Sequence, residues 1–118
     1  MGGSMTMRTA AALPDRIGAG GSYHGGRLVT DAADSPHKLI AAMDAEYLVA
    51  IAANDHEKEP DSKDALIKAF ADAGLTAEVE VYAGALHGWC VPESAVYNEA
   101  QAEKAWRRTL AMFKRALV

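Results

Sequence analysis

Between Ala45 and Ala53 only Glu46 interrupts a run of apolar residues, which ends at Asn54-Asp55. A run of that length without polar alternation predicts a strand covered on both faces, as parallel strands are. In Thr76–Gly84 (TAEVEVYAG) apolar residues alternate with glutamates, and this period of two predicts a half-exposed strand. A third stretch, Ile17–Ser22, is small and apolar and runs into the glycine-rich Tyr23-His24-Gly25-Gly26; it predicts a strand that ends in a loop. Around these the period changes. Within Asp61–Leu75 the residues Leu66, Ile67, Phe70 and Leu75 fall near helical spacing, and Gly74 suits a C-terminal cap. Ser4–Leu13 is rich in good helix formers and stops at Pro14-Asp15, which predicts a short helix. From Asn98 to Val118 the apolar positions, Ala105, Trp106, Thr109, Met112, Phe113 and Leu117 among them, keep to one face. That pattern predicts a long amphipathic helix, with acids early and bases late as its dipole favours.

The remaining segments lack a period. Arg27–Asp44 is turn-rich, with an apolar patch at Leu39–Met43 that suits a helical turn or two. Asp55–Ser62 is polar and contains Pro60, and Ala85–Tyr97 is irregular; both are expected to be loops. The order is then helix, strand, loop, strand, helix, strand, helix. Strands separated by helices imply an α/β fold with a parallel sheet and right-handed crossovers, here three parallel strands with flanking helices.

Composition narrows the function classes without choosing one. The 118 residues make one domain, 1–118, or part of one, with a net charge of −4. No long-range field favours nucleic acid or an anionic membrane. The apolar runs are too short to span a bilayer, and the first residues lack the order of a signal peptide. The single cysteine, Cys90, cannot close an internal disulfide, so a reducing, cytoplasmic setting is the expectation.

In open parallel sheets, chemistry gathers past the carboxyl ends of the strands. Three loops sit there: Tyr23-His24-Gly25-Gly26, Asn54-Asp55-His56-Glu57 and Leu86-His87-Gly88-Trp89-Cys90. Asp55 after one strand and His87 after the next make a candidate pair, because a carboxylate can fix the tautomer of a histidine acting as general base. Each has a plainer reading, Asp55 as a turn or capping aspartate and His87 as a surface loop residue. His24, His56 and Glu57 around Asp55 match no regular ligand spacing, so no metal site is expected. Cys90 could form a thiolate beside an imidazole, but three residues along one loop is poor geometry for a relay. IGAGGSY lacks both the lysine of a phosphate loop and the glycine spacing of a dinucleotide fingerprint.

These segments together resemble the dienelactone hydrolase family, a branch of the α/β-hydrolases. VEVYAGALHGW followed by YNEAQAEKAWRRTLAMF is similar to the family's C-terminal end, and AIAANDHEKEP to its acid loop. GAGGSYHGG is similar to the preceding strand, with an aromatic and glycines at the mouth of the site. The resemblance implies the C-terminal half of an α/β-hydrolase fold, with Asp55 and His87 as the last two members of a nucleophile–aspartate–histidine triad. It implies that Tyr23, His24 and Trp89 border the substrate, and that no cofactor is needed. Met1-Gly2-Gly3 reads alone as a linker, but under the resemblance it matches the positions just after the nucleophile in an elbow. The nucleophile would then fall immediately before Met1, the Met1 backbone would supply an oxyanion-hole donor, and the parent would be a longer esterase. The stretch after His87, Trp89-Cys90-Val91-Pro92, lacks the arginine with which the family holds a substrate carboxylate. That departure points to a neutral ester or lactone as the small-molecule substrate.

Three readings follow. The first is a hydrolase half without its nucleophile and inactive by itself. It would be a homo-oligomer or pair with an N-terminal half, because its first strand would be left as a sheet edge. The second is a non-catalytic binding or assembly module that keeps the fold's second half. The third is a small thiol enzyme using Cys90.

Overall fold

A computed structural model describes residues 1–117. Helix α1 (Gly2–Ala12) leads into strand β1 (Ala19–Tyr23), and a 3-10 helix (Pro36–Ala42) precedes β2 (Glu46–Ala52). Short helix α2 (Ala53–Lys58), helix α3 (Ser62–Asp72), strand β3 (Ala77–Tyr82) and helix α4 (Glu99–Ala116) complete the order. The strands form one sheet in the order β1-β2-β3 with both pairings parallel, the arrangement expected of alternating strands and helices. Register sets Tyr23 against Ala50 and Ala52 against Tyr82, so all three strands end at one edge.

The apolar run of β2 is central and buried along nearly its whole length. Its side chains alternate between two cores. Tyr47, Val49 and Ile51 face α1 and α3, where Met7, Ala10, Leu66 and Phe70 meet them. Ala50 and Ala52 face the other way, with Tyr82, Ala85, Trp89 and Ala105 of α4. The small β2 residues on that side let α4 lie close to the sheet. Glycine has a steric purpose in β1. A Cβ on Gly20 would stand 2.5 Å from Tyr47 Cζ, so the bare backbone makes room for the ring that joins the sheet to α1.

The charged positions of β3 are not solvated at random. Glu78 pairs with Arg108 and Glu80 with Lys104, while Glu46 at the start of β2 pairs with Arg115. The basic side of α4 thus latches onto the acids of the face it covers. Asn98 caps α4, its side-chain oxygen accepting from the Gln101 N–H.

Boundaries differ from the sequence expectation in informative ways. β1 starts two residues later than Ile17 and includes Tyr23. Helix α1 reaches back to Gly2, although glycine is a poor helix former, because it sits in the first turn where few intrahelical bonds are lost. Residues expected as loop from Asp55 form α2 instead, one and a half turns before Pro60. Gly74, at φ 69°, ends the α3 segment as the sequence suggested. Val118, the last residue of the expected final helix, lies outside the described residues. Among the described residues no helix is long and apolar enough to cross a membrane.

Candidate active site

Strand β2 delivers its polar end directly into α2. Asn54 and Asp55 stand in the first turn of that helix, beside the carboxyl end of β3. After β3 the chain turns at Gly84 (φ 71°), and the Ala53 N–H donates to the Ala85 carbonyl at 2.7 Å. That bond ties the two strand ends together. Two side chains then hold His87. Asn54 Oδ1 accepts from the His87 backbone N–H at 2.9 Å, and Asp55 Oδ2 lies 2.7 Å from His87 Nδ1. With a carboxylate as acceptor, Nδ1 carries the proton and donates, which leaves the Nε2 lone pair available. The acid is shielded, its side chain 13% exposed, while the histidine is 54% exposed. An anchored acid and an open base is what a proton relay requires.

β1 brings a third group. The His24 N–H donates to the Ala50 carbonyl at 2.9 Å, and its ring centroid lies 5.1 Å from that of His87 and 5.2 Å from that of Trp89. Burial is the largest influence on His24 and pushes its imidazole below the ordinary histidine value. Proximity to His87 lowers it further, Asp55 opposes, and the amino end of the chain adds a smaller lowering. The start of α1 is therefore within electrostatic reach of the site. A tight contact holds it there: a Cβ on either Gly3 or Gly25 would collide with Ser22 Oγ. Ser22 is buried and its hydroxyl has no partner among the described residues.

The candidate residues separate into two groups. Asp55, His87 and His24 come together, with the Met1 backbone at the opening of α1 nearby. Tyr23 does not join them: it packs under α4, where its hydroxyl lies 2.5 Å from Thr109 Oγ1. Trp89 is wholly buried between His24 and Tyr82, the surroundings of a core residue. An apolar groove of about 330 Å³ does exist, but it is lined by Tyr23, Cys90, Tyr97 and Trp106 and not by His87 or Asp55. Cys90 belongs to that groove, and burial pushes its thiol up, opposite to what a nucleophile needs. Among the described residues no three His, Cys, Asp or Glu side chains are grouped as metal ligands. The sequence places Asn54 in the candidate loop but gives it no role of its own; its only signal is adjacency to Asp55 at a strand end.

The sequence profile of the dienelactone hydrolase family matches residues 1–117. The chain belongs to the dienelactone hydrolase family. Among solved structures, it is similar to a protein assigned as a dienelactone hydrolase from Klebsiella pneumoniae subsp. pneumoniae MGH 78578. The two share 27% identity with a TM-score of 0.79 over 93% of this chain and 47% of that one. The present family member thus spans about half the length of that relative. No significant match was found among curated proteins. Three parallel strands with their flanking helices match the corresponding part of the α/β-hydrolase fold of the family.

Proposed function

We propose that this chain carries the acid–base half of a carboxylic ester hydrolase. The observation that supports it is the 2.7 Å contact between shielded Asp55 and open His87, fixed from behind by Asn54. In this reading His87 Nε2 takes the proton of an attacking hydroxyl or thiol as the nucleophile adds to the ester carbonyl. Asp55 holds the ring and stabilises the imidazolium. The protonated His87 then donates to the leaving alcohol, and in the second half it activates water to release the acyl group. In a longer parent the backbone N–H at Met1, at the start of α1, is one donor for the tetrahedral oxyanion. No serine, threonine or cysteine side chain hydrogen-bonds His87 among the described residues, so the attacking group is proposed to come from outside them. The substrate class is a neutral small-molecule ester or lactone, since the turn after His87 offers no arginine for a carboxylate.

An activity assay of the isolated chain on aryl esters tests this. We expect turnover close to buffer background and unaffected by His87→Gln. Fast turnover that disappears in Cys90→Ser or Ser22→Ala would overturn the reading and restore an internal nucleophile.

We further propose that β1 is covered by the remaining half of the hydrolase fold, and that the chain self-associates without it. Both β1 and β3 lie at sheet margins, but β3 carries two glutamates, tied to α4, while β1 has no charged residue. Beside β1, α4 exposes Trp106, Leu110, Phe113 and Leu117. Sedimentation of the isolated chain as a clean monomer at tens of micromolar would sink this proposal.

A further inference from the structure

The chain leaves β1 through Ser22-Tyr23-His24-Gly25-Gly26-Arg27. Two residues of this turn adopt left-handed backbone, His24 (φ 47°) and Arg27 (φ 57°), although two glycines lie between them. Left-handed backbone is unfavourable for a residue with a Cβ, and glycine would adopt it freely. A histidine held there needs compensation from its side chain, and such residues concentrate at functional sites. The compensation is visible. The His24 ring meets the edge of Trp89 at 75° and tilts at 60° against His87. Trp89 is wholly buried and braced by Tyr82, with ring centroids 5.3 Å apart. His24 is thus the last member of an aromatic series that runs from the core of the α4 side to the open face of His87.

His87 needs such a wall. Its side chain is half exposed, and among the described residues its ring hydrogen-bonds only Asp55. A single bond fixes Nδ1 but leaves the ring free to swing about it.

We propose that His24 is a positioning residue for the His87 imidazole, its ring closing one side of the slot that keeps His87 Nδ1 on Asp55. This rests on the reading of Asp55 and His87 as a proton relay. Three titratable groups act on His24: His87, Asp55 and the amino end of the chain. Burial and His87 together favour the neutral ring. A neutral neighbour leaves His87 as the imidazole that takes up a proton, where a cationic one would repel it.

The test is the tautomer of neutral His87 in the full chain, read from long-range proton–nitrogen correlations at about pH 8, above the ordinary histidine range. The wild type is expected to show His87 mainly as the Nδ1–H form. His24→Gly removes the ring together with the left-handed strain that its contacts offset, so the fold is expected to hold. Its His87 nitrogen shifts are expected to move to the mixture typical of free imidazole, and His24→Phe, which restores a flat ring, to bring the Nδ1–H form back. Asp55→Asn serves as the control. If Asp55→Asn abolishes the Nδ1–H form but His24→Gly leaves it intact, the positioning role is overturned and the relay stands. If Asp55→Asn leaves the form intact, the relay reading fails and the proposal with it.

Discussion

Asn54 and Asp55 are consecutive, yet they hold His87 at different atoms, one at the backbone N–H and the other at the ring. This divides the work between placing the loop and orienting the ring. On the proposed reading, in a longer form that carries a nucleophile Asp55→Asn should leave the fold intact and lower kcat by about 10³–10⁴-fold, by allowing the wrong tautomer. Asn54→Ala should act differently. It removes one acceptor from an exposed N–H, so a loss of about 1 kcal/mol in denaturant unfolding is expected, with a smaller fall in kcat than for Asp55→Asn. Equal kcat losses for the two variants would contradict this division. The pair Asp55 and His87 was legible in the sequence because an acid at one strand end and a histidine at the next is a topological signal. Asn54 was not legible, since an asparagine at a strand end is equally a turn residue. Nor were the different partners of Tyr23 and His24, Thr109 of α4 for one and Trp89 and His87 for the other, which depend on a backbone that turns left-handed at 24.

At the scale of elements, the periodic segments were readable and the short ones were not. The unbroken apolar run of β2 and the amphipathic stripe of α4 each encode burial over many residues, so the pattern outweighs local accidents. Helix α2 is only six residues long, too short for a period, and its polar sequence before Pro60 reads equally as loop. The glutamates of β3 were legible as one face of a half-exposed strand, but not as partners of α4, because that depends on packing distant in sequence. The pairs they make are exposed, so Arg108→Ala should cost less than about 1 kcal/mol, and the loss should shrink further in high salt. Gly20 is a harsher case. Gly20→Val places a branched side chain where the Tyr47 ring lies, and overpacking of this kind costs about 1–3 kcal/mol. A thermal shift of no more than a degree in Gly20→Val would show that Tyr47 can move aside.

Across the whole molecule, the titratable groups shape a stability curve that falls at both ends. Burial lowers His24 and His37 in the folded chain. The unfolded chain therefore binds more protons just below the ordinary histidine value, and stability is lost as pH falls from about 6.5 through the folded values. Burial acts in the opposite direction on the phenols, raising Tyr47 and pushing Tyr82 up to about 12, with Glu80 and Glu78 adding to the latter. Between about 10 and 12 the folded chain holds protons that the unfolded chain has released, so stability declines as pH rises. Denaturant midpoints measured across pH should trace this dome, and His24→Phe should flatten its acidic side. The bond from Ala53 N–H to the Ala85 carbonyl and the two contacts on His87 all join the end of β2 to the turn after β3. None of them touches the long crossing from Gly25 to Asp44. That crossing is tied into the core instead, through Leu28, Ile40 and Met43, whereas the five residues Ala83–His87 form a span whose length decides whether His87 reaches Asn54 and Asp55 at all.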